Sequence, residues 1–325
     1  MSQPVSPFPH PVARFLSSVH PGIAQHAKAL SLWPLLPNEP VDDPAGELSP
    51  KYITLGEAVA AGCIRIDEVS ASGSVPHVTA ENRGDAAVLV LFGEELRGAK
   101  QNRVANATFL VPPHSRVNLD VSCVEQGRWD SRPASRFRST DEVMSSAVRR
   151  KMAAKVSESR SMGHSFDADQ GEVWEEVQAR MTSSGTRSRT GAWADHVEAR
   201  QHDVAELSAC FGAVPGQKGF VAAIGGEIVG LEAVGRPEVF LKTFPGLLRA
   251  YVIDAVDGAA ARPTRKPAGT QFFEAPEPFL SALSQAPAES SPSLGMGEDL
   301  RLTSRLVHGC ALVAGEVIHL TGFPA

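Results

Sequence analysis

The densest run of polar side chains in the sequence lies at residues 93–103, GEELRGAKQNR. The run combines groups that suit a phosphorylated or polyhydroxylated ligand, because arginine and lysine bind phosphate while carboxylates and amides bind hydroxyls. Its spacing matches neither a P-loop nor the glycine fingerprint of dinucleotide-binding folds. A solvent-exposed hairpin arm is the alternative interpretation. We predict that five of its side chains contact a ligand: Glu94, Lys100, Gln101, Asn102 and Arg103.

A second polar run, SCVEQGRW at residues 122–129, extends this candidate site. A strand that ends within it would direct Glu125, Arg128 and Trp129 to a common pocket rim. We predict that Arg128 and Trp129 also bind the ligand, since arginine binds anions and tryptophan stacks on planar rings. If the ligand is hydrolysed, Glu95 or Glu125 is the predicted catalytic general base.

The cysteines and histidines predict no metal site. The four cysteines lie 60, 87 and 100 residues apart and form no CxxC pair. The ten histidines show no HExxH spacing. Cys123 has no histidine within eight residues that could activate it as a nucleophile, which favours a buried strand cysteine. The sequence identifies no cofactor.

Composition and charge exclude several classes of protein. The 325 residues are 42% hydrophobic and 21% charged, as in ordinary globular proteins. The formal net charge of −6 argues against a nucleic-acid partner and against an anionic membrane surface. No stretch approaches ~18 uninterrupted apolar residues, and the first residues lack the basic and apolar regions of a signal peptide. We therefore expect a cytoplasmic protein that does not bind membranes.

The order of the elements predicts an α+β fold. Five strand-like runs separated by turn residues lie between residues 64 and 124, which favours antiparallel, sandwich-like sheets. Helical patterns follow, the first with Thr140 as its predicted N-cap, and strand patterns return after residue 215. We expect a loose tail over residues 1–20. We expect one α+β domain over residues 21–325, with a helical insertion at about 135–212.

Several of these motifs are similar to those of one known family. Residues 52–58 (YITLGEA), 93–103 and 122–129 resemble the ADP-ribosylglycohydrolase- and rhodanese-phosphatase-associated protein domain. Looser similarity, over residues 169–174, 225–230 and 248–251, extends the resemblance to nearly the whole chain. It implies a bacterial domain whose activity is not assigned, associated with ADP-ribose-processing enzymes. It carries over no catalytic residues.

Two functions fit these observations. In the first, the polar runs form a pocket that binds or processes an ADP-ribose- or NAD-derived nucleotide. In the second, the protein is a non-catalytic interaction or scaffold domain that holds a protein partner through its helical insertion. Residues 128–160 carry nine basic and four acidic residues, and this second function expects Arg149 and Arg150 on an exposed basic face.

Overall fold

The computed structural model describes residues 9–39, 50–129, 136–260 and 273–325. Within these residues the fold is α+β with mostly antiparallel sheets, which confirms the predicted class. The elements follow one another in this order: α1 (Pro11–Ser17), β1 (Val19–Pro21), β2 (Gln25–Ala27), β3 (Leu30–Pro37), β4 (Tyr52–Thr54), α2 (Leu55–Ala60), β5 (Ile64–Glu68), β6 (His77–Asn82), β7 (Ala87–Val90), β8 (Glu94–Arg97), β9 (Arg103–Ala105), β10 (Phe109–Val111), β11 (Ser115–Cys123), β12 (Arg138–Val143), α3 (Ser146–Ser161), α4 (Gln170–Ser184), α5 (Trp193–Ala199), α6 (Gln201–Ser208), β13 (Gly219–Ile224), β14 (Glu227–Val234), α7 (Pro237–Ala260), α8 (Pro276–Gln285), β15 (Ala288–Pro292), β16 (Glu298–Thr303), β17 (Val307–Ala314) and β18 (Glu316–Pro324).

The described strands form three sheets. The largest has the order β1-β3-β13-β14-β18-β17-β16-β15, with β2 also paired to β3. A second sheet has the order β12-β8-β9-β11-β6-β5, and a third has the order β10-β7-β4. The pairing of β4 with β7 is parallel, and the other pairings recorded between described strands are antiparallel.

The large sheet is buried on both faces. Along β13 the side chains alternate, as the pleat of a strand requires. Phe220 and Ala222 point into a core shared with the two smaller sheets, while Val221 and Ala223 point into a second core beneath α1 and α8. The first core holds the candidate site in place, because β8, β12 and α7 all contribute buried side chains to it.

Helix α1 corrects the prediction for the N-terminal segment. Pro11–Ser17 is helical, begins at the His10 cap and buries Val12 and Leu16 in the second core. Apolar burial therefore fixes a segment that its proline and serine content had suggested was loose. Residues 1–8 lie outside the described residues.

The predicted N-cap at Thr140 is wrong. Thr140 belongs to β12, which pairs with β8, and the helix begins later, with Ser145 as the cap of α3. The Ser145 hydroxyl accepts a hydrogen bond from the Val148 amide at 3.4 Å. Long-range strand pairing at residues 138, 139 and 143 overrides the local helix-start signal of this segment. Within the described residues, no helix is both long and apolar enough to cross a membrane.

Arg149 is wholly buried. The prediction that it lies on an exposed basic face is therefore wrong. Its guanidinium forms a 2.7 Å ion pair with Glu232, a carboxylate that also accepts a hydrogen bond from Tyr251 at 2.8 Å. Burial raises the pKa of Glu232, but the charge of Arg149 and the hydrogen bonds with His319 and Arg149 together outweigh burial and bring that pKa to about 2. This pair joins α3 to the large sheet.

The same arginine fixes the turn that leads into β8. Gly93 has a φ of 79°, a conformation that favours glycine, and a Cβ there would overlap the Arg149 side chain. The Gly93 carbonyl accepts a hydrogen bond from Met144 at 2.8 Å, and Arg149 donates to the Met144 carbonyl at 2.9 Å. Glu94, the next residue, is therefore held by a rigid support.

Candidate functional site

A cavity of about 480 Å³ opens between β8, β12, α2 and α7. Apolar side chains of Leu89, Leu91 and Val143 form part of its wall. Its volume lies in the range of small-molecule sites, roughly 300–1,000 Å³. Seven polar or charged side chains also line it, six from these four elements and one from the N-cap of α2: Thr54, Glu57, Glu94, Asp141, Lys242, Thr243 and Arg249. We call it the Glu94 cavity.

Glu94 forms part of the buried wall of this cavity, with 5% of the residue exposed. One carboxyl oxygen accepts a hydrogen bond from the Leu91 amide at 2.9 Å, and the other accepts from the Ser139 hydroxyl at 3.2 Å. Burial raises the pKa of Glu94 to about 7, opposed by these hydrogen bonds and assisted by the charge of Asp141. Near neutral pH this carboxyl can therefore either donate or accept a proton.

Asp141 lies at the exposed mouth of the cavity, at an irregularity in the pairing of β12 with β8. The register shifts between Ser139 and Val143, and Asp141 itself has a φ of 54°. Such bulges redirect a side chain and are common next to active sites. Two glycines leave the room that this conformation needs: a Cβ at Gly56 would overlap the Asp141 carboxylate, and one at Gly246 would overlap its carbonyl oxygen.

We expect Gly246→Ala to lower the free energy of unfolding by about 1–3 kcal/mol, because the added methyl forces α7 away from β12. Gly258→Ala, in the same helix, is the matched control: nothing lies within 4 Å of its Cβ position. There, alanine should raise stability by about 1 kcal/mol through its higher helix propensity. Urea unfolding of both variants measures the difference. A stabilising Gly246→Ala would contradict this close packing.

Two cations of α7 reach the cavity from positions seven residues apart, which is two helical turns. Lys242 is half-exposed and pairs with Glu57, whose other carboxyl oxygen accepts a hydrogen bond from the Thr54 amide at 3.0 Å at the start of α2. Arg249 pairs with Glu142 at 2.9 Å and donates to the carbonyl of Asp141 at 3.1 Å. Both cations are thus held in place, and both lie at a surface that an anion can reach.

The structure brings the two predicted polar runs together on neighbouring strands. Cys123 of β11 is opposite Arg103 of β9, and the Val124 amide donates to the Asn102 carbonyl at 3.0 Å. Cys123 is buried, as expected, and burial raises the pKa of its thiol. Seven of the predicted site residues meet here and form what we call the Arg128 cluster: Lys100, Gln101, Asn102, Arg103, Glu125, Arg128 and Trp129.

The polar groups of the Arg128 cluster bind mainly to one another. Arg128 donates to Glu125 at 2.6 Å and to the side chain of Asn102 at 3.1 Å. Arg103 donates to Gln101 at 2.6 Å. Burial raises the pKa of Glu125, but hydrogen bonds from Arg128 and from a threonine hydroxyl outweigh burial and lower it. A carboxylate held in its charged form by several donors is a weak proton acceptor.

Trp129 is the most accessible member of the cluster, with 47% of the residue exposed. Lys100 Nζ lies 5.5 Å from the centre of its ring, and the Arg103 guanidinium carbon lies 5.7 Å from it. These are cation–π distances, so the indole covers two positive charges of the cluster.

Glu95 does not line the Glu94 cavity, although it is the next residue along the strand. Successive side chains of a strand point to opposite faces, and Glu95 forms a 2.8 Å ion pair with Arg97. Burial raises the pKa of Glu95. Among the described residues, one of its carboxyl oxygens has no hydrogen-bond partner. Of the two predicted general bases, Glu95 therefore has the environment that suits proton transfer better.

Sequence reasoning missed Asp141, Lys242 and Arg249. Asp141 carried the signal of a helix start, since acidic residues favour the first turn of a helix. A usable signal did exist for the cations: a spacing of seven residues places Lys242 and Arg249 on one face of a helix. Nothing local connects that helix face to residue 94.

One group among the described residues brings three metal-ligand atoms within 4.8 Å of one another: His202, Asp203 and Glu206 on α6. All three side chains are exposed, and acidic groups commonly cluster on surfaces without a metal. This group lies outside the Glu94 cavity.

Comparison with known proteins identifies the family. No curated protein and no solved structure matches the chain. A family model described as the ARG and Rhodanese-Phosphatase-superfamily-associated Protein domain matches residues 18–323. This match includes both polar runs and all the elements that line the Glu94 cavity. The chain therefore belongs to the family of ARG and Rhodanese-Phosphatase-superfamily-associated Protein domains.

Proposed function

We propose that this protein binds an ADP-ribose- or NAD-derived nucleotide in the Glu94 cavity. The observation that carries the proposal is that one cavity of about 480 Å³ is lined by both a buried carboxyl group and two cations of α7. Lys242 and Arg249 are suited to the pyrophosphate, since phosphate is recognised by lysine and arginine. Glu94 and Asp141 are suited to ribose hydroxyls, because a carboxylate oxygen accepts hydrogen bonds that hydroxyl groups donate. The family's association with ARG proteins agrees with this class of ligand.

The proposal moves the phosphate contacts away from Arg103 and Arg128. A ligand that bound to those arginines would have to displace the bonds they make to Gln101 and Glu125, at 2.6 Å each. Breaking charge-assisted hydrogen bonds of this kind costs about 1.5–3 kcal/mol each. The ion-pair partners of Lys242 and Arg249 are partly exposed to water at the cavity mouth, so a phosphate can replace them there. We therefore assign the Arg128 cluster a supporting role beside β8.

Thermal unfolding of the full chain tests the proposal with ADP-ribose, NAD, ADP and AMP at millimolar concentration. We expect at least one of these nucleotides to raise the Tm, because a ligand at 100 times its Kd adds about 2.7 kcal/mol to stability. Lys242→Ala and Arg249→Ala should abolish most of that gain. Lys28→Ala is the matched control, since Lys28 is also an exposed lysine in a surface ion pair. If no nucleotide raises the Tm, the proposal is wrong.

The second function, a protein-interaction or scaffold domain, draws support from the family's association with other proteins. The basic segment adds little to it. Arg149 is buried, and the exposed lysines of α3 pair with acidic residues of α4: Lys151 with Glu176, and Lys155 with Glu172 at 3.0 Å. We rank this function second for that reason.

The cytoplasmic location expected from the sequence stays a prediction.

A further inference from the structure

The Glu94 cavity holds two carboxyl groups in opposite environments. Glu94 lies on the buried wall, where one oxygen accepts from a backbone amide and the other from a hydroxyl. Asp141 lies at the mouth, exposed to water. Glu57, the third carboxylate among the described lining residues, is held at the start of α2, where one of its oxygens accepts hydrogen bonds from both the amide and the hydroxyl of Thr54. Of the carboxyl groups in the described lining, Glu94 and Asp141 are therefore the two that remain for chemistry on a bound ligand.

The backbone conformation places Asp141 in the lining of this cavity. A strand residue with a positive φ costs free energy, of order 1–3 kcal/mol, and persists where the surroundings over-determine it. Here the register shift of β12, the open positions at Gly56 and Gly246, and the hydrogen bond from Arg249 all fix the same residue. Glu94 is fixed as firmly by the Gly93 turn. The two carboxyls thus line the same cavity from backbone positions that the fold fixes.

We propose that this pair hydrolyses a ribosyl O-glycoside, with Glu94 as general acid and Asp141 as general base. The inference rests on the proposed function, because it assigns chemistry to the same cavity and ligand class. Asp141 accepts a proton from water as that water attacks the anomeric carbon. The bond from the anomeric carbon to the leaving oxygen breaks, the oxygen keeps the electron pair, and Glu94 gives it a proton. The products are the free sugar and an alcohol. Paired carboxyl groups in these two roles are the usual device for glycoside hydrolysis.

The roles also define which glycosides fit. An alkoxide is a poor leaving group, so its departure needs the proton that Glu94 supplies. A nicotinamide departs from NAD as a neutral molecule and needs no such proton. The substrate class that this cavity suits is therefore ADP-ribose joined through its anomeric oxygen to an alcohol, such as a hydroxyl side chain.

Two synthetic probes test this: ADP-ribose carrying either a methyl or a p-nitrophenyl group on its anomeric oxygen. The wild-type chain should cleave both. Glu94→Gln should slow cleavage of the methyl glycoside by about 100-fold or more, yet slow the p-nitrophenyl glycoside by less than about 10-fold, because p-nitrophenolate leaves without a proton. Asp141→Asn should slow both by about 100-fold. Glu158→Gln, at an exposed glutamate of α3, should change neither.

The ratio of the two rates within one preparation does not depend on how much of a variant is folded. Equal losses for both probes in Glu94→Gln would overturn the acid role. Failure of the wild-type chain to cleave either probe, while ADP-ribose still raises its Tm, would overturn this inference and leave the binding proposal standing. Absence of any Tm change with ADP-ribose and its relatives would overturn the binding proposal itself.

Discussion

Arg149→Met is expected to lower the free energy of unfolding by about 3–5 kcal/mol, because it leaves a buried carboxylate without its counter-charge. Glu232 has no exposed surface, and its 2.7 Å partner is the guanidinium that the substitution removes. Urea unfolding at pH 7 measures the loss. Arg150→Met is the control, since Arg150 is the next residue of the same helix and is exposed. Its effect should lie within about 0.5 kcal/mol of zero.

The pH dependence of the same pair provides a second check. The pKa of Glu232 is about 2 in the folded chain and 4.5 in the reference state, so the folded state binds fewer protons between these values. The pair's contribution is therefore complete above about pH 4.5 and falls as the pH drops toward 2. Arg149→Met should flatten this part of the stability profile. Equal stabilities for Arg149→Met and Arg150→Met at pH 7 would contradict the structural role of Arg149.

Glu94→Gln should make the protein more stable at pH 8.5, by about 3 kcal/mol at most, and leave it nearly unchanged at pH 5. The pKa of Glu94 is raised from 4.5 to about 7, so the folded state binds more protons than the unfolded state in this range. Wild-type stability consequently falls as the pH rises from 4.5 to 7. Glutamine keeps an acceptor for the Leu91 amide and carries no charge at any pH.

Urea unfolding at the two pH values measures this effect, with Glu158→Gln as the control at an exposed glutamate. The control should show no change in its difference from wild type between pH 5 and pH 8.5. If the stability difference between Glu94→Gln and wild type were the same at both pH values, ionisation of Glu94 would not lower the free energy of unfolding. Its proposed role as a proton donor would then lose its physical basis.

Apolar periodicity made the strands and helices of the core predictable from the sequence. The β13–β14 hairpin follows from apolar runs on either side of Gly225-Gly226, and α4 follows from its apolar stripe at Val173 and Val177. The polar strands β8 and β12 were not predictable in this way. Their side chains carry no apolar alternation, and their pairing joins residues more than forty positions apart.

The candidate site was predictable only in part, for the same reason. Glu94 belongs to a conspicuous polar run, but its partners Asp141 and Lys242 lie on elements that only tertiary packing brings near it. Arg149 illustrates the opposite error. It lies beside Val148 on the buried face of α3, and a local count of charges cannot reveal a counter-charge at Glu232, 83 residues away.

A structure of the chain determined with ADP-ribose tests the central claim most directly. We predict the nucleotide in the Glu94 cavity, with its phosphate oxygens within hydrogen-bond distance of Lys242 and Arg249 and its terminal ribose beside Glu94. A nucleotide bound instead at Trp129 and the Arg128 cluster, with the Glu94 cavity empty, would contradict the account.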